Sequence, residues 1–338
     1  MSSLATSRCI ALSGTEGHLI DVQVDISPGT VGTFLVGRPD KALQEARDRV
    51  RMAITNAVPP WPATRRVTIL LTPADLPKSG THFDLAIAVA VKAADQSPPR
   101  DGAADHRIKQ AALEGTAFIG ELTLSGNLRP VAGVLPMVLA ARARGIRRVF
   151  VPEPQAREAM MVPDMTVFGV RSLAQVVAEL RGEDVPEAPP VEGTTSASLL
   201  SWRGQDLREE VDMSEVEGMQ DVIYAVTVAA AGGHHIMLSG PRGAGKTTVA
   251  ERIPTILPDL TLGQSLEVTA VHSLLGTLDA LVSRPPFFEP HHDASRASIL
   301  GGGTGRARPG AVSLAHHGVL FLDEFPLFRA DVIDALRQ

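Results

Sequence analysis

The apolar and polar positions along the chain follow two different periods. Residues 19–26 alternate apolar and polar side chains, which predicts a strand with one buried face. Residues 40–57 carry apolar side chains every three or four positions, which predicts a helix with Asp40 as its N-cap. The same two periods predict strands at 67–71 and 149–151, helices at 83–94 and 135–144, and a hairpin within 118–128. This alternation of strands and helices indicates an α/β or α+β domain.

A change of composition separates this region from a second one. Residues 181–198 are rich in Pro, Glu, Gly, Ser and Thr, and such a segment buries too little apolar surface to fold by itself. We therefore expect a first domain at 1–180, a linker at 181–205 and a second domain at 206–338. In the second domain the pattern predicts a helix at 222–231 and short buried strands at 234–239 and 319–322.

The composition is typical of a soluble protein in a reducing compartment. Hydrophobic residues make up 44% and charged residues 21% of the chain, and Cys9 is its single cysteine. No apolar run is long enough to cross a membrane, so we expect a cytoplasmic protein without a membrane segment. Residues 1–180 carry 20 Lys+Arg against 17 Asp+Glu, and residues 181–338 carry 12 against 21. Neither half has the basic excess of a typical nucleic-acid-binding module.

The clearest candidate site is a glycine-rich loop, GPRGAGKT, at residues 240–247. Glycines at 240, 243 and 245 allow the backbone N–H groups of such a loop to turn towards phosphates. Lys246 is placed to reach the β- and γ-phosphates, and the hydroxyl of Thr247 is placed to bind Mg²⁺. The predicted nucleotide-binding residues are Gly240, Pro241, Arg242, Gly243, Ala244, Gly245, Lys246, Thr247 and Thr248.

A second motif completes this candidate site. Asp323 follows the apolar run at 319–322, as the Mg²⁺-binding aspartate of a Walker B strand does. Glu324 is placed to polarise the attacking water and is the predicted catalytic residue. Both motifs occur in the expected order, so the sequence predicts a P-loop ATPase with ATP and Mg²⁺ as cofactors, and Thr247 and Asp323 as metal ligands.

Several further segments carry a family resemblance. The second region resembles the magnesium-chelatase-like AAA+ ATPases of the ComM (YifB) group at residues 229–235, 290–295, 301–303, 308–310, 313–316, 318–324 and 335–338. The first region is similar to the Lon-protease-like domain of this group at residues 34–37, 45–51, 73–78, 120–122, 128–131 and 133–136. The resemblance therefore implies a Lon-protease-like α+β domain followed by a P-loop AAA+ α/β core.

Proteolysis by the first domain is not expected. A Lon-type site needs a serine nucleophile and a lysine base in a fixed arrangement. The nucleophile position falls near His82, and the lysine position falls at 135–137, where no lysine occurs. We therefore interpret the first domain as proteolytically inactive.

Three histidine pairs and two arginines invite other interpretations. The pairs are His234-His235, His291-His292 and His316-His317. Adjacent residues on a strand point to opposite faces, so these pairs do not favour a structural metal site. The 290–292 segment belongs to the family pattern, which favours a role near the nucleotide or a central pore. Arg306 and Arg308 favour a solvated loop over a contact with a neighbouring subunit or DNA.

The resemblance also implies a larger assembly. Members of the group are hexameric and act on branched DNA during recombination or natural transformation, so DNA, branched or single-stranded, is an expected partner. A chelatase-type remodelling motor and a nucleotide-binding scaffold without turnover are the alternatives. The family would place the arginine finger, the sensor residues and the helical lid after Gln338. We therefore expect a C-terminally truncated core without a lid, and weak or absent ATP turnover.

Overall fold

The computed structural model describes residues 3–36, 40–76, 78–95, 107–191, 211–276, 281–302 and 308–337. The chain divides into two compact units, the first within residues 1–194 and the second within 195–275 and 281–338. Most of the predicted linker, residues 192–205, lies outside the described residues. Both units contain helices and strands, so the protein is of the mixed α/β class.

The main sheet of the first unit contains four strands, β1 (Ser3–Ser13), β2 (Glu16–Ser27), β3 (Gly32–Val36) and β4 (Arg66–Thr72). Their order is β1-β2-β4-β3, and only the β3–β4 pair is parallel. The predicted strands at 19–26 and 67–71 are thus confirmed within β2 and β4. The periodicity missed β1 because its buried face is made of small side chains, Ala5, Ser7, Cys9 and Ala11.

Two helices cover this sheet and contribute much of its core. Helix α1 (Lys41–Ala57) begins where the Asp40 carboxylate accepts a 2.7 Å hydrogen bond from the Leu43 N–H, which confirms the predicted N-cap. Helix α2 (Asp84–Ala94) contacts β1, β2 and α1 and is buried along nearly its whole length. Both helices agree with the periods at 40–57 and 83–94.

A second, parallel sheet and a short hairpin complete the strands of the first unit. Strands β5 (Thr116–Phe118), β8 (Arg148–Pro152) and β9 (Thr166–Val170) align Phe118, Phe150 and Phe168, whose rings stack with centroids 5.2 and 4.5 Å apart. The hairpin contains only β6 (Glu121–Leu122) and β7 (Leu128–Arg129). The prediction of one hairpin over 118–128 was therefore wrong at its start, because the buried Phe118 pairs in the parallel sheet.

The other α-helices in the described part of the first unit are α3 (Gln110–Leu113), α4 (Val134–Ala143), α5 (Ala156–Met160) and α6 (Leu173–Arg181), and a short 3-10 helix lies at Glu153–Gln155. Helix α4 confirms the helical period at 135–144, and β8 confirms the predicted strand at 149–151. An extended segment without regular structure follows α6 and is described as far as residue 191.

A buried ion pair joins α1, α2 and β6. The side chain of Asp84 is fully buried, and its carboxylate accepts hydrogen bonds from Arg49 Nε at 2.8 Å and Arg49 Nη2 at 3.1 Å. The Leu122 N–H donates a further bond of 3.2 Å to the same carboxylate. Burial nevertheless raises the pKa of Asp84 to about 6, since the loss of hydration outweighs the attraction of the guanidinium.

The second unit has helices α7 (Gln220–Gly232), α8 (Lys246–Arg252), α9 (Leu262–Ser273), α10 (Arg296–Leu300), α11 (Ala311–Leu314) and α12 (Ala330–Ala335). Strands β10 (Phe287–Phe288) and β11 (Val319–Leu320) form a parallel pair. Short 3-10 helices lie at Met213–Glu215, Ile253–Ile256 and Phe325–Leu327. Helix α7 confirms the helical period at 222–231.

The predicted strand at 234–239 was wrong. In the part of the chain that the structure describes, this segment pairs with no strand, and its Met237 side chain is 86% exposed. A strand requires a neighbour that bonds its backbone N–H and C=O groups, and sequence periodicity does not reveal whether one is present. The predicted buried strand at 319–322 is shorter than expected, since β11 covers only its first two residues, and these are half-buried.

Among the described residues, no helix combines the length and the apolar character that crossing a membrane requires.

We expect the Asp84 carboxyl to make the first unit less stable as the pH rises. Its folded pKa of about 6 lies above the usual value near 4, so the folded state binds more protons between these values. The free energy of unfolding should therefore fall by about 2 kcal/mol between pH 4.5 and pH 7 relative to Asp84→Asn, which cannot titrate. Fluorescence of Trp61, which packs against this core, reports unfolding in a Trp202→Phe background.

The matched control is Asp48→Asn, which removes a carboxylate of α1 that is 69% exposed. Its pH dependence should follow that of the parent protein. Parallel pH profiles for the parent and Asp84→Asn would contradict the raised pKa of Asp84.

Candidate nucleotide-binding site

The glycine-rich loop connects the irregular segment after α7 to helix α8. Gly243 and Gly245 adopt left-handed backbone angles, with φ of 78° and 76°, and Gly245 is the N-cap of α8. Only glycine adopts such angles without strain, which agrees with the sequence interpretation at these two positions. Gly240 does not have a positive φ, and a Cβ there would meet only Ala244 Cβ at 3.6 Å. The expected need for backbone freedom was therefore wrong at Gly240.

The ammonium group of Lys246 lies within the curve of this loop. Its Nζ donates hydrogen bonds to the carbonyl oxygens of Gly240 at 3.1 Å and Pro241 at 2.9 Å. The side chain thus folds back over the residues that precede its own helix. This position places a positive charge where the loop surrounds a phosphate in P-loop proteins.

The two predicted metal ligands lie together. The Thr247 hydroxyl is 3.4 Å from Asp323 Oδ2, although 76 positions separate the two residues. The other oxygen of Asp323 accepts a 2.9 Å hydrogen bond from the Glu324 N–H, which fixes the orientation of the carboxylate. Neighbouring ligands of an octahedral Mg²⁺ lie about 3 Å apart, given Mg–O bonds of about 2.1 Å. The hydroxyl and the carboxylate therefore fit Mg²⁺ in chemistry, and they would need to approach by only about 0.4 Å to reach the spacing of its ligands.

Glu324 has an unusual backbone conformation beside this pair. Its φ of 52° is left-handed, which is uncommon for a residue with a side chain and occurs often at functional sites. The side chain is 57% exposed, and its Oε2 lies 3.9 Å from Nδ1 of His292. The structure thus places one histidine of the 290–292 segment next to the predicted catalytic carboxylate.

Sequence reasoning missed Glu289, a third carboxylate near this point. It directly follows β10, and because β10 and β11 are parallel, the residues after both strands meet at the same edge. Partial desolvation, followed by the negative charges of Asp323 and Glu251, raises the pKa of Glu289. In the sequence, the position of Glu289 directly after the apolar pair Phe287-Phe288 was the feature that could have indicated a carboxylate at the end of a strand.

The other predicted binding residues lie on the same loop or the first turn of α8. Pro241, Arg242 and Thr248 are exposed, and Ala244 is half-buried. Of the two arginines assigned to a solvated loop, Arg308 is exposed and bridges to Gly302, and Arg306 lies outside the described residues.

Comparison with known proteins places this chain in a family. The family model "Magnesium chelatase, subunit ChlI" matches residues 212–338, and "Subunit ChlI of Mg-chelatase" matches residues 22–155. Competence protein ComM of Haemophilus influenzae is 38% identical over 99% of this chain and 63% of its own length. The chain belongs to the magnesium-chelatase-like proteins of the ComM/YifB group. This membership supports an AAA+ ATPase.

Two other relatives match over a similar extent. An uncharacterized protein of Mycobacterium tuberculosis is 44% identical over 99% of the chain and 63% of its own length. YifB of Escherichia coli is 37% identical over 99% of the chain and 62% of its own length. The chain therefore spans less than two thirds of these relatives.

A more distant match concerns the Lon proteases. Lon protease 4 of Sorangium cellulosum is 38% identical over 88 residues, which are 25% of this chain and 11% of that protein. This match agrees with the presence of a Lon-like part in this chain.

We expect Lys246→Met to weaken MgATP binding by about tenfold or more, because a charged hydrogen bond to phosphate is lost from inside the loop. Fluorescence titration with a labelled ATP analogue measures the affinity. Arg242→Met is the matched control, since it keeps the backbone N–H that the loop would offer to phosphate and removes the same charge from an exposed side chain. Equal losses in both variants would mean that only the overall charge of the loop matters.

Proposed function

We propose that this chain binds ATP with Mg²⁺ in the loop at 240–248 and forms part of an ATP-hydrolysing motor. The contact between Thr247 and Asp323 carries this proposal, because it joins the metal-binding groups of two motifs that are distant in the sequence. Membership in the magnesium-chelatase-like group supports it.

The loop residues have separate roles in binding the triphosphate. The backbone N–H groups of the loop and of the first turn of α8 would bind phosphate oxygens, and Pro241, which has no N–H, would shape the loop. Lys246 would exchange its two carbonyl partners for phosphate oxygens. Thr247 and Asp323 would hold Mg²⁺, which neutralises charge on the β- and γ-phosphates when bound.

Glu324 is the proposed catalytic residue. Its exposed carboxylate is free to accept a proton from a water molecule and to orient that water towards the γ-phosphate. His292, 3.9 Å away, would hold the carboxylate in position as a neighbouring polar group. Asp323 and Glu324 would then have different roles, since Asp323 would bind the metal and Glu324 would contact the water.

For the complete protein we propose a homo-hexameric, cytoplasmic motor that remodels branched DNA. The similarity to a competence protein supports the link to DNA, and the single, buried cysteine agrees with a reducing compartment. The acidic balance of residues 181–338 argues that DNA contacts are local and not spread over this part of the chain.

Hydrolysis measured with and without forked DNA tests these proposals together. We expect the chain to bind ATP, to hydrolyse it slowly, and to respond to forked DNA more than to linear duplex of equal length. Glu324→Gln should retain ATP binding and reduce turnover by about 100-fold, because it removes the group that accepts the proton.

Each failure identifies a different part of the proposal. If the parent chain does not bind ATP, the whole proposal is wrong. Binding without turnover under every condition would favour a nucleotide-dependent scaffold. Turnover that is indifferent to DNA would remove the DNA assignment and favour a chelatase-type motor that acts on a protein partner.

A further inference from the structure

A cluster of two histidines and one glutamate shares no residue with the candidate nucleotide site. His317 Nε2 is 2.7 Å and His316 Nε2 is 3.4 Å from the same oxygen, Oε2 of Glu267. Glu267 lies on α9, and the histidines lie in the turn that follows α11. The three ligand atoms all lie within 4.8 Å of one another.

The turn explains how adjacent histidines point to one place. The sequence argument against a metal site assumed that a histidine pair lies on a strand, where neighbouring side chains diverge. His316 and His317 instead lie before β11, and His317 adopts a left-handed φ of 56°. As a result their ring centroids are only 4.0 Å apart, and both rings reach the same carboxylate. That argument was wrong for this pair.

A separate contact holds the two elements of the cluster together. His272, on the same helix as Glu267, forms a 3.0 Å hydrogen bond with the backbone carbonyl of Leu314. The Gly318 N–H donates to the Ala315 carbonyl at 2.8 Å and closes the turn. The positions of the ligands therefore depend on buried and backbone contacts in addition to their own hydrogen bonds.

We propose that Glu267, His316 and His317 bind one divalent transition-metal ion such as Zn²⁺, with water completing its coordination. Two imidazole nitrogens and one carboxylate oxygen suit zinc, cobalt or nickel better than magnesium. Ligands of a tetrahedral zinc with bonds of about 2.0–2.1 Å lie about 3.4 Å apart. The His316–Glu267 distance matches this spacing, and the His317–Glu267 distance needs to open by about 0.7 Å.

This site differs in chemistry from the site of Thr247 and Asp323, which offers only oxygen ligands, and its proposal does not depend on ATP binding. A bound ion would link α9 to the turn that leads into β11 and then to Asp323. We infer that the ion stabilises the segment that positions Asp323, because a ligand that binds only the folded state stabilises that state.

The other histidine cluster of the second unit provides a natural control. His291, His292 and Asp293 also bring three ligand atoms together, but all three are consecutive residues of one loop. Exposure does not separate the two clusters, because Glu267 is 62% and His316 48% exposed, against 71% for His291 and 82% for Asp293. The Ala294 N–H closes this loop by donating to the His291 carbonyl at 2.9 Å. Among the described residues, however, no hydrogen bond like that between His272 and Leu314 joins the loop to a neighbouring helix, so we expect weak metal binding there.

Cobalt titration of the untagged, metal-free chain 1–338 tests the site. Co²⁺ bound by nitrogen and oxygen in four-coordinate geometry gives visible absorption, and Zn²⁺ should displace it with a stoichiometry of one. His317→Asn removes the imidazole but tolerates a left-handed φ, and Glu267→Gln removes the charge. Both variants should weaken Zn²⁺ binding by about tenfold or more, whereas His291→Asn should bind as the parent does.

Two further measurements make the result decisive. Far-UV circular dichroism must show that the variants are folded, and Asp323→Asn must retain Zn²⁺ binding, which excludes the oxygen-only site. Absence of saturable Zn²⁺ binding by the parent would overturn the proposal. So would unchanged affinity in folded His317→Asn and Glu267→Gln, or loss of binding in His291→Asn, since these results would mean adventitious binding by surface histidines.

Discussion

The 3.4 Å contact between the Thr247 hydroxyl and the Asp323 carboxylate is the constraint on which the candidate site depends. Thr247 is held by α8, whose Val249 is buried in a core with Met213 and Val226. Asp323 is held by the chain that leaves β11 and by the N–H of Glu324. Each residue is thus fixed by its own local structure, and the contact forms only when α8 and the segment after β11 are both folded.

The sequence was sufficient where local chemistry determines the structure. Helix α1 with its Asp40 cap, strand β4 and the left-handed glycines 243 and 245 all follow from residue type and spacing alone. The motif residues also lie where the pattern indicates, on one loop and after one strand. The family resemblance was confirmed by comparisons that cover nearly the whole chain.

The sequence was insufficient where the structure depends on distant partners. Residues 234–239 have the composition of a strand, but whether they form one depends on a neighbour that periodicity does not show. The buried Asp84–Arg49 pair and the proximity of Glu289 to Asp323 arise from tertiary packing. The convergence of His316 and His317 depends on one left-handed residue in a turn, which strand-based reasoning excluded.

The most direct measurement is a double-mutant cycle on Mg²⁺-dependent ATP affinity with Thr247→Val, Asp323→Asn and the two combined. If both groups hold one ion, each single variant removes most of the Mg²⁺ effect, and the double variant loses little more. The coupling free energy should then exceed about 1 kcal/mol. Additive losses, or an ATP affinity that Mg²⁺ does not change in the parent chain, would contradict the account.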